Sequence, residues 1–186
     1  MRNNFLIIIS GPPCTGKTTL GEKIAKEFKL PLISKDEIKE SLFDSLGYSD
    51  RAWSMKMGLA AYVILYRLID HLLAARISFI VESNFKPEFQ NERFRAWKEK
   101  YHFKPLQIQC KTDEDILLPR FKTRAGSSMR HPGHVDRSNF DEFKTSLLEG
   151  VYKNLDIGGK VIELDTTDFS TIDYDQLFES IRSAMD

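Results

Sequence analysis

Five apolar residues in a row, Phe5-Leu6-Ile7-Ile8-Ile9, predict a β-strand buried on both faces. After a glycine-bearing segment, Thr19-Leu20-Gly21-Glu22-Lys23-Ile24-Ala25-Lys26-Glu27-Phe28 places its apolar positions at helical spacing and predicts an amphipathic helix. Residues 30–33 are a short strand candidate. Ser34, with Glu37 three positions on, has the pattern of a capping box, so a helix is expected to open there with Asp36 in its first turn. A long helix is expected over about residues 51–76, with Trp53, Met57, Ala60, Ile64, Leu68 and Leu72 as its core-facing stripe. Residues 77–81 predict a third strand ending at Glu82-Ser83-Asn84, and a helix over about 88–101 leads to a fourth strand near 106–110. Thr112 with Asp115 opens a helix carrying Leu117, Arg120, Phe121 and Arg124. Between residues 125 and 139 the periodicity gives way to Gly-Ser-Ser-Met-Arg-His-Pro-Gly-His and its neighbours, which predicts an exposed, basic, mobile flap. A helix near 140–152, a strand at 160–164 and a helix near 174–184 follow.

Strands alternating with helices predict an α/β fold, a three-layer sandwich with a five-stranded parallel sheet and helices on both faces. With 186 residues the chain suits one domain, residues 1–186, with a small lid at about 113–139. In such a sheet the functional edge lies at the carboxyl ends of the strands, where Gly11, Asp36, Glu82, Lys111 and Asp165 are expected to gather.

That edge carries the strongest motif. Gly11-Pro12-Pro13-Cys14-Thr15-Gly16-Lys17-Thr18 fills every fixed position of the phosphate-binding loop, between the predicted strand and helix that the motif requires. Its backbone N–H groups and the helix N-terminus are expected to face nucleotide phosphates. Lys17 would reach the β and γ oxygens, and the Thr18 hydroxyl would bind Mg²⁺. The expected nucleotide site is therefore Gly11, Pro12, Pro13, Cys14, Thr15, Gly16, Lys17, Thr18 and Thr19. Cys14 reads as a small residue that fits the loop. No Asn-Lys-x-Asp guanine signature occurs, which counts against a regulatory GTP-driven switch.

Phosphoryl transfer further needs cations over the moving group and a group that handles the acceptor hydroxyl. Asp36 is either that group, taking or aligning the hydroxyl proton, or a helix-start aspartate favoured by the helix dipole. Glu82, at the end of a buried strand, is expected to serve the Mg²⁺ shell or the acceptor. Asn84 either binds substrate or caps the loop. Arg120 and Arg124, four apart on one helix face, and Arg130 in the flap are candidate phosphate clamps. His131 and His134 lack a further ligand cluster, so flap contacts to substrate are expected rather than zinc. Asp165-Thr166-Thr167 either lines an adenine pocket or turns the chain.

Composition narrows the partners. Lys plus Arg equals Asp plus Glu at 27 each, so the overall field does not favour a polyanion. The two isolated cysteines, Cys14 and Cys110, suggest a reducing compartment and a cytoplasmic location. The apolar stretch between Lys56 and Arg67 falls short of the ~20 residues that a bilayer crossing needs, so no membrane association is expected. Oligomeric state is left open.

Taken in order, GxxxxGKT, Ser34-Lys-Asp36-Glu-Ile-Lys39, Val81-Glu82-Ser-Asn84-Phe85, Arg120-xxx-Arg124 and His-Pro-Gly-His resemble the P-loop kinases that include polynucleotide 5′-kinase, zeta toxins and chloramphenicol phosphotransferase. The resemblance implies that Asp36 acts on the acceptor hydroxyl, that Lys39 is the basic residue one helical turn later, and that Arg120 and Arg124 contact ATP phosphates. Glu82 stands where many relatives have aspartate. Lys39 stands where the polynucleotide enzyme has arginine, which weakens a planar clamp on a substrate phosphate. The expected activity is an ATP- and Mg²⁺-dependent phosphotransfer to a hydroxyl of a small molecule. A polynucleotide acceptor is the less favoured alternative, and a regulatory nucleotide switch is the rival from another class.

Overall fold

The computed structural model describes residues 4–185. In chain order its elements are β1 (Phe5–Ser10), α1 (Lys17–Phe28), β2 (Leu32–Ser34), α2 (Lys35–Leu46), α3 (Arg51–Ala74), β3 (Phe79–Glu82), α4 (Pro87–Tyr101), β4 (Lys104–Lys111), α5 (Glu114–Gly126), α6 (Phe140–Leu148), β5 (Lys160–Asp165) and α7 (Tyr174–Met185). Short 3₁₀ turns at Pro132–His134 and Asp136–Ser138 join α5 to α6. The five strands form one sheet of order β2-β3-β1-β4-β5, and every pairing is parallel.

The apolar run of β1 is buried because both faces of the sheet are covered. Leu6 and Ile8 point to a core shared with α3 and α4, including Leu65, Ile69, Leu73, Phe94 and Trp97. Ile7 and Ile9 point to the opposite core with Leu20 and Ile24 of α1 and Leu177 and Ile181 of α7. This is the period-two alternation of a strand in a doubly covered sheet. Gln107 and Gln109 are buried on β4, and their side-chain amides donate to the carbonyls of Leu155 and Tyr152 at 2.9 and 3.0 Å. Those bonds satisfy the buried amides and tie the irregular segment after α6 to the sheet. A third, small cluster of Leu117, Phe121 and Phe143 packs α5 on α6, with Cys14 of the glycine loop against it.

Three expectations are corrected. The core stripe of α3 is Met57, Ala61, Leu65, Ile69 and Leu73, whereas Ile64 and Leu68 are each 39% exposed. Apolar residues nearly encircle this helix, so local spacing admits neighbouring stripes and only the tertiary contact selects one. The same composition makes α3, over its whole length, apolar enough to cross a membrane, although its inner face is part of the core. At the start of α2, Ser34 holds the N-cap position but makes no side-chain cap bond; its hydroxyl is used elsewhere. Half of the expected flap is docked: Gly133, His134 and Asp136 are buried, and Gly133 packs so closely on Phe43 that an added Cβ would fall 2.6 Å from its ring.

Candidate active site

Where β1 ends, the chain must turn sharply into α1, and two glycines make the turn. Gly11 has φ 140°, and a Cβ there would come within 2.4 Å of the Cys110 carbonyl oxygen. Gly16 has φ 77°, and a Cβ would fall 2.6 Å from the Phe169 ring. Only glycine meets both demands at such positions. Cys14, at φ 68°, adopts the left-handed region without being glycine, a local strain accepted inside the loop. Burial raises its thiol pKa, against the pull of Arg124 and Lys17.

A cleft of about 580 Å³ opens at the carboxyl ends of the strands. Pro13, Cys14, Gly16, Lys17, Thr18 and Thr19 of the loop line it, facing Asp36, Lys39, Glu82, Asn84, Arg120, Arg124 and Arg130. Gly11, Pro12 and Thr15 shape the loop from behind. Thr15 Oγ1 donates to the Pro12 carbonyl at 2.9 Å, and Lys17 Nζ donates to the same oxygen at 2.6 Å. Burial lowers the Lys17 pKa, and Glu82 opposes the shift.

Glu82 is buried at the end of β3, in register with Ser34 of β2 and Ile9 of β1. Its Oε2 accepts from Ser34 Oγ at 2.7 Å and from Thr18 Oγ1 at 3.4 Å. Burial raises its pKa, while Lys17 lowers it. Thus the hydroxyl assigned to the metal and the carboxylate assigned to the metal or acceptor lie side by side.

Asp36 occupies the first turn of α2. Burial alone would raise its pKa, but Lys35, His134 and Arg130 outweigh it and hold the carboxyl far below the usual carboxylate range. Lys35 Nζ lies 3.2 Å from Oδ1, and Arg130 Nη1 lies 3.3 Å from Oδ2. Permanently ionised, Asp36 is suited to accept a hydrogen bond from a hydroxyl more than to store a proton near neutral pH. One turn on, Lys39 is buried, and its Nζ donates to Ser54 Oγ at 2.9 Å.

The lid arginines differ. Arg120 donates to the carbonyls of Thr166 and Thr167 at 2.7 and 2.6 Å and stacks 4.1 Å from the Phe169 ring centre. The 166–167 turn thus reaches the site through Arg120. Arg124 pairs with Asp136 at 3.3 Å, yet its buried Nε has no partner. Arg130 bridges Asp136, at 2.9 Å from its Nε, and Asp36. The histidines diverge: His131 meets Asp44 at 3.2 Å and His134 meets Glu40 at 2.8 Å. Among the described residues no cluster of three or more His, Cys, Asp or Glu side chains could hold a metal.

Several contributors were not assigned from sequence. Lys35 stands inside a quoted motif with no role given. Asp136, which orients two arginines, and Phe169, which covers the glycine loop, lie in segments with no periodic signal, so only their long-range contacts identify them.

A family model for an AAA domain matches residues 6–149. A candidate kinase from Chloroflexus aurantiacus J-10-fl is 36% identical, with 98% of each chain covered and a TM-score of 0.88. A gluconokinase from Sinorhizobium meliloti 1021 shares 14% identity, with 100% of this chain and 93% of that one covered and a TM-score of 0.56. A shikimate kinase from Bacteroides thetaiotaomicron shares 16%, with 96% and 98% covered and a TM-score of 0.55. No curated protein matches the chain. The family match over most of the length, with the 36% identity across nearly the whole of the first of these chains, makes this chain a member of the AAA-domain family on the P-loop kinase fold.

Proposed function

We propose that this chain transfers the terminal phosphoryl group of ATP, with Mg²⁺, to a hydroxyl of a small molecule. The observation that carries the reading is that the phosphate-binding loop and the ionised Asp36 face each other across one cleft, with Glu82 and Thr18 also on its wall. Kinase relatives of the same fold, two of them named for small hydroxylated acids, support it.

Each residue then has a task. Lys17 exchanges the Pro12 carbonyl for phosphate oxygens, a stronger charge-assisted partner. Arg124, on the cleft wall with its donors incompletely used, turns its guanidinium to the same oxygens. Asp36 aligns the acceptor hydroxyl for in-line attack, which contributes through positioning. The donor set near Thr18 suits Mg²⁺: a hydroxyl and a carboxylate, both hard oxygen ligands, with room for waters and phosphate oxygens. When bound there, the ion would neutralise charge on the phosphates. Docking of residues 113–139 over the cleft would exclude water from the transfer. The free thiols of Cys14 and Cys110 agree with a cytoplasmic setting.

The test is incubation with ATP and Mg²⁺ and a panel of hydroxylated metabolites, antibiotics and nucleosides, read as ADP release and acceptor mass gain. Phosphorylation of a small hydroxyl compound is expected. A protein that fails to bind ATP with Mg²⁺, or that phosphorylates only oligonucleotide ends, would overturn the reading.

A further inference from the structure

α3 is the most apolar helix among the described residues, yet only 28% of its most apolar 18-residue stretch is buried. Its outer side carries Met55, Leu59, Val63, Ile64 and Leu68, of which Leu59 and Val63 are 69% and 63% exposed. Monomeric proteins rarely leave so continuous an apolar strip in water, and such strips mark contacts with protein or lipid. The charges along the strip discriminate between the two.

Lys56, Val63 and Asp70 follow one another at seven-residue intervals and therefore lie on one line along the helix. Lys56 is exposed. Asp70 is held by α4: Trp97 Nε1 and Tyr101 Oη donate to its Oδ1 at 3.1 and 2.7 Å, and Lys100 Nζ lies 3.6 Å from the same oxygen. The side chain is still 32% exposed, with Oδ2 outside those three contacts. A second α3 turned end for end about Val63 would set Lys56 of each copy opposite Asp70 of the other, giving two ion pairs about 21 Å apart along the axis. Val63 would face itself between them. Leu59 would meet the aliphatic stem of Arg67, and the exposed Ala52 and Ala74 would meet at both ends, where small side chains let helices approach closely. Two copies aligned in the same direction would instead set Lys56, Arg67 and Asp70 each against its own like charge. Asp70 on the same line also disfavours an anionic lipid surface, and Leu65, Ile69 and Leu73 tie the inner face of α3 into the core.

We propose that the outer face of α3 docks a second copy of this chain, as an antiparallel helix pair with Val63 on the two-fold axis. The contact along α3 is about 33 Å long and about 10 Å wide. That is small for a specific interface, so the dimer forms at micromolar rather than nanomolar protein.

Sedimentation equilibrium of the full chain over a wide concentration range should show a monomer–dimer equilibrium. Val63→Lys sets a cation against its own copy at the axis, and Leu59→Lys sets one against Arg67 of the other copy; each should weaken association by about tenfold or more. Both positions are exposed, so circular dichroism and the unfolding temperature of dilute protein should match the parent. Lys56→Glu, opposite Asp70, should weaken the dimer while Lys56→Arg keeps it. A short bis-maleimide linker should join Val63→Cys chains through position 63 of both copies, as read by peptide mass. A monomer at every concentration, a dimer indifferent to Val63→Lys and Leu59→Lys, or cross-links that miss position 63 would each overturn the inference. A monomer that floats with phosphatidylserine vesicles would overturn it in favour of lipid as the occupant of this face.

Discussion

Ser34 Oγ donates a 2.7 Å hydrogen bond to Glu82 Oε2 across the register pair that joins the ends of β2 and β3. The bond explains why Ser34, at the N-cap of α2, leaves the helix uncapped by its side chain: the buried carboxylate is the stronger acceptor. Together with Thr18 Oγ1 it holds Glu82 toward the first turn of α1, where a hydrated cation would sit.

Glu82→Gln should raise the Mg²⁺ concentration for half-maximal rate, because an amide attracts a hydrated divalent ion less than a carboxylate does. The same change should not destabilise the ligand-free protein at neutral pH. Burial raises the Glu82 pKa, so its contribution to stability is complete below the unfolded pKa and is lost as pH rises through the folded one. At neutrality the ionised side chain is a cost that Gln removes. Mg²⁺ titration of the rate and thermal unfolding check the two halves; an unchanged Mg²⁺ profile with a higher acceptor KM would assign Glu82 to the acceptor.

Lys17→Ala should abolish turnover while leaving the fold intact. Lys17 Nζ donates its hydrogen bond to the loop carbonyl of Pro12, so its removal breaks little structure, whereas the charge beside the migrating group is lost. Circular dichroism and ADP release are the measurements, and parental activity in a folded variant would end the kinase reading.

Asp36→Asn should lower kcat by about 10²–10⁴-fold with little change in ATP affinity, the range for loss of assistance to the attacking hydroxyl. Asn retains the size of Asp36 but leaves Arg130 and Lys35 without their shared carboxylate. Single-turnover kinetics and ATP binding separate the outcomes: collapse of ATP binding with intact chemistry would place Asp36 in the nucleotide site.

The parts of this molecule legible in its sequence are those written locally. The glycine loop needs two glycines, a lysine and a threonine within eight residues, and β1 is a single apolar run; both stand where expected. The registration of α3 was not legible, since Leu65 and Ile64 are equally apolar and only packing on β1 and β3 separates them. Nor was the fate of the lid. Gly133 beneath Phe43, and Asp136 between Arg124 and Arg130, are contacts between distant segments that leave no periodic trace, so a stretch of Gly, Ser and Pro suggested more mobility than the docked turns possess.

Lys39 gives a pH signature. Its pKa is pushed down to about 8 by burial, with Lys35, Arg51 and Arg130 acting in the same sense and Asp36 against it; His134 also faces it. At neutral pH the buried ammonium is a cost to the fold. A depressed folded pKa adds stability above the unfolded value that is lost as pH falls through about 8. Lys39→Met should therefore stabilise more at pH 7 than at pH 10 in chemical denaturation, and the reverse order would show that the ammonium is compensated in the fold.

The lid yields the last prediction. Arg124 lines the cleft with one guanidinium nitrogen on Asp136 and a buried Nε that has no partner, so its donor capacity is incompletely used. Phosphate oxygens would satisfy it most fully when charge accumulates on the transferring group, so Arg124→Ala should lower kcat more than it weakens ATP binding. Motion of the lid should be confined to the part that is not docked. Met129 is 93% exposed, whereas His134 and Asp136 are buried. Limited proteolysis without ligand should therefore cut near residues 126–130 and spare 132–136, and an ATP analogue with Mg²⁺ should slow the cut by drawing Arg124 and Arg130 onto the nucleotide. Ordering the exposed stretch costs entropy of about 1–2 kcal/mol per residue, which charge-assisted bonds to phosphate must offset. Equal cleavage with and without the analogue, together with parental kinetics in Arg124→Ala, would reduce residues 126–130 to an ordinary surface turn.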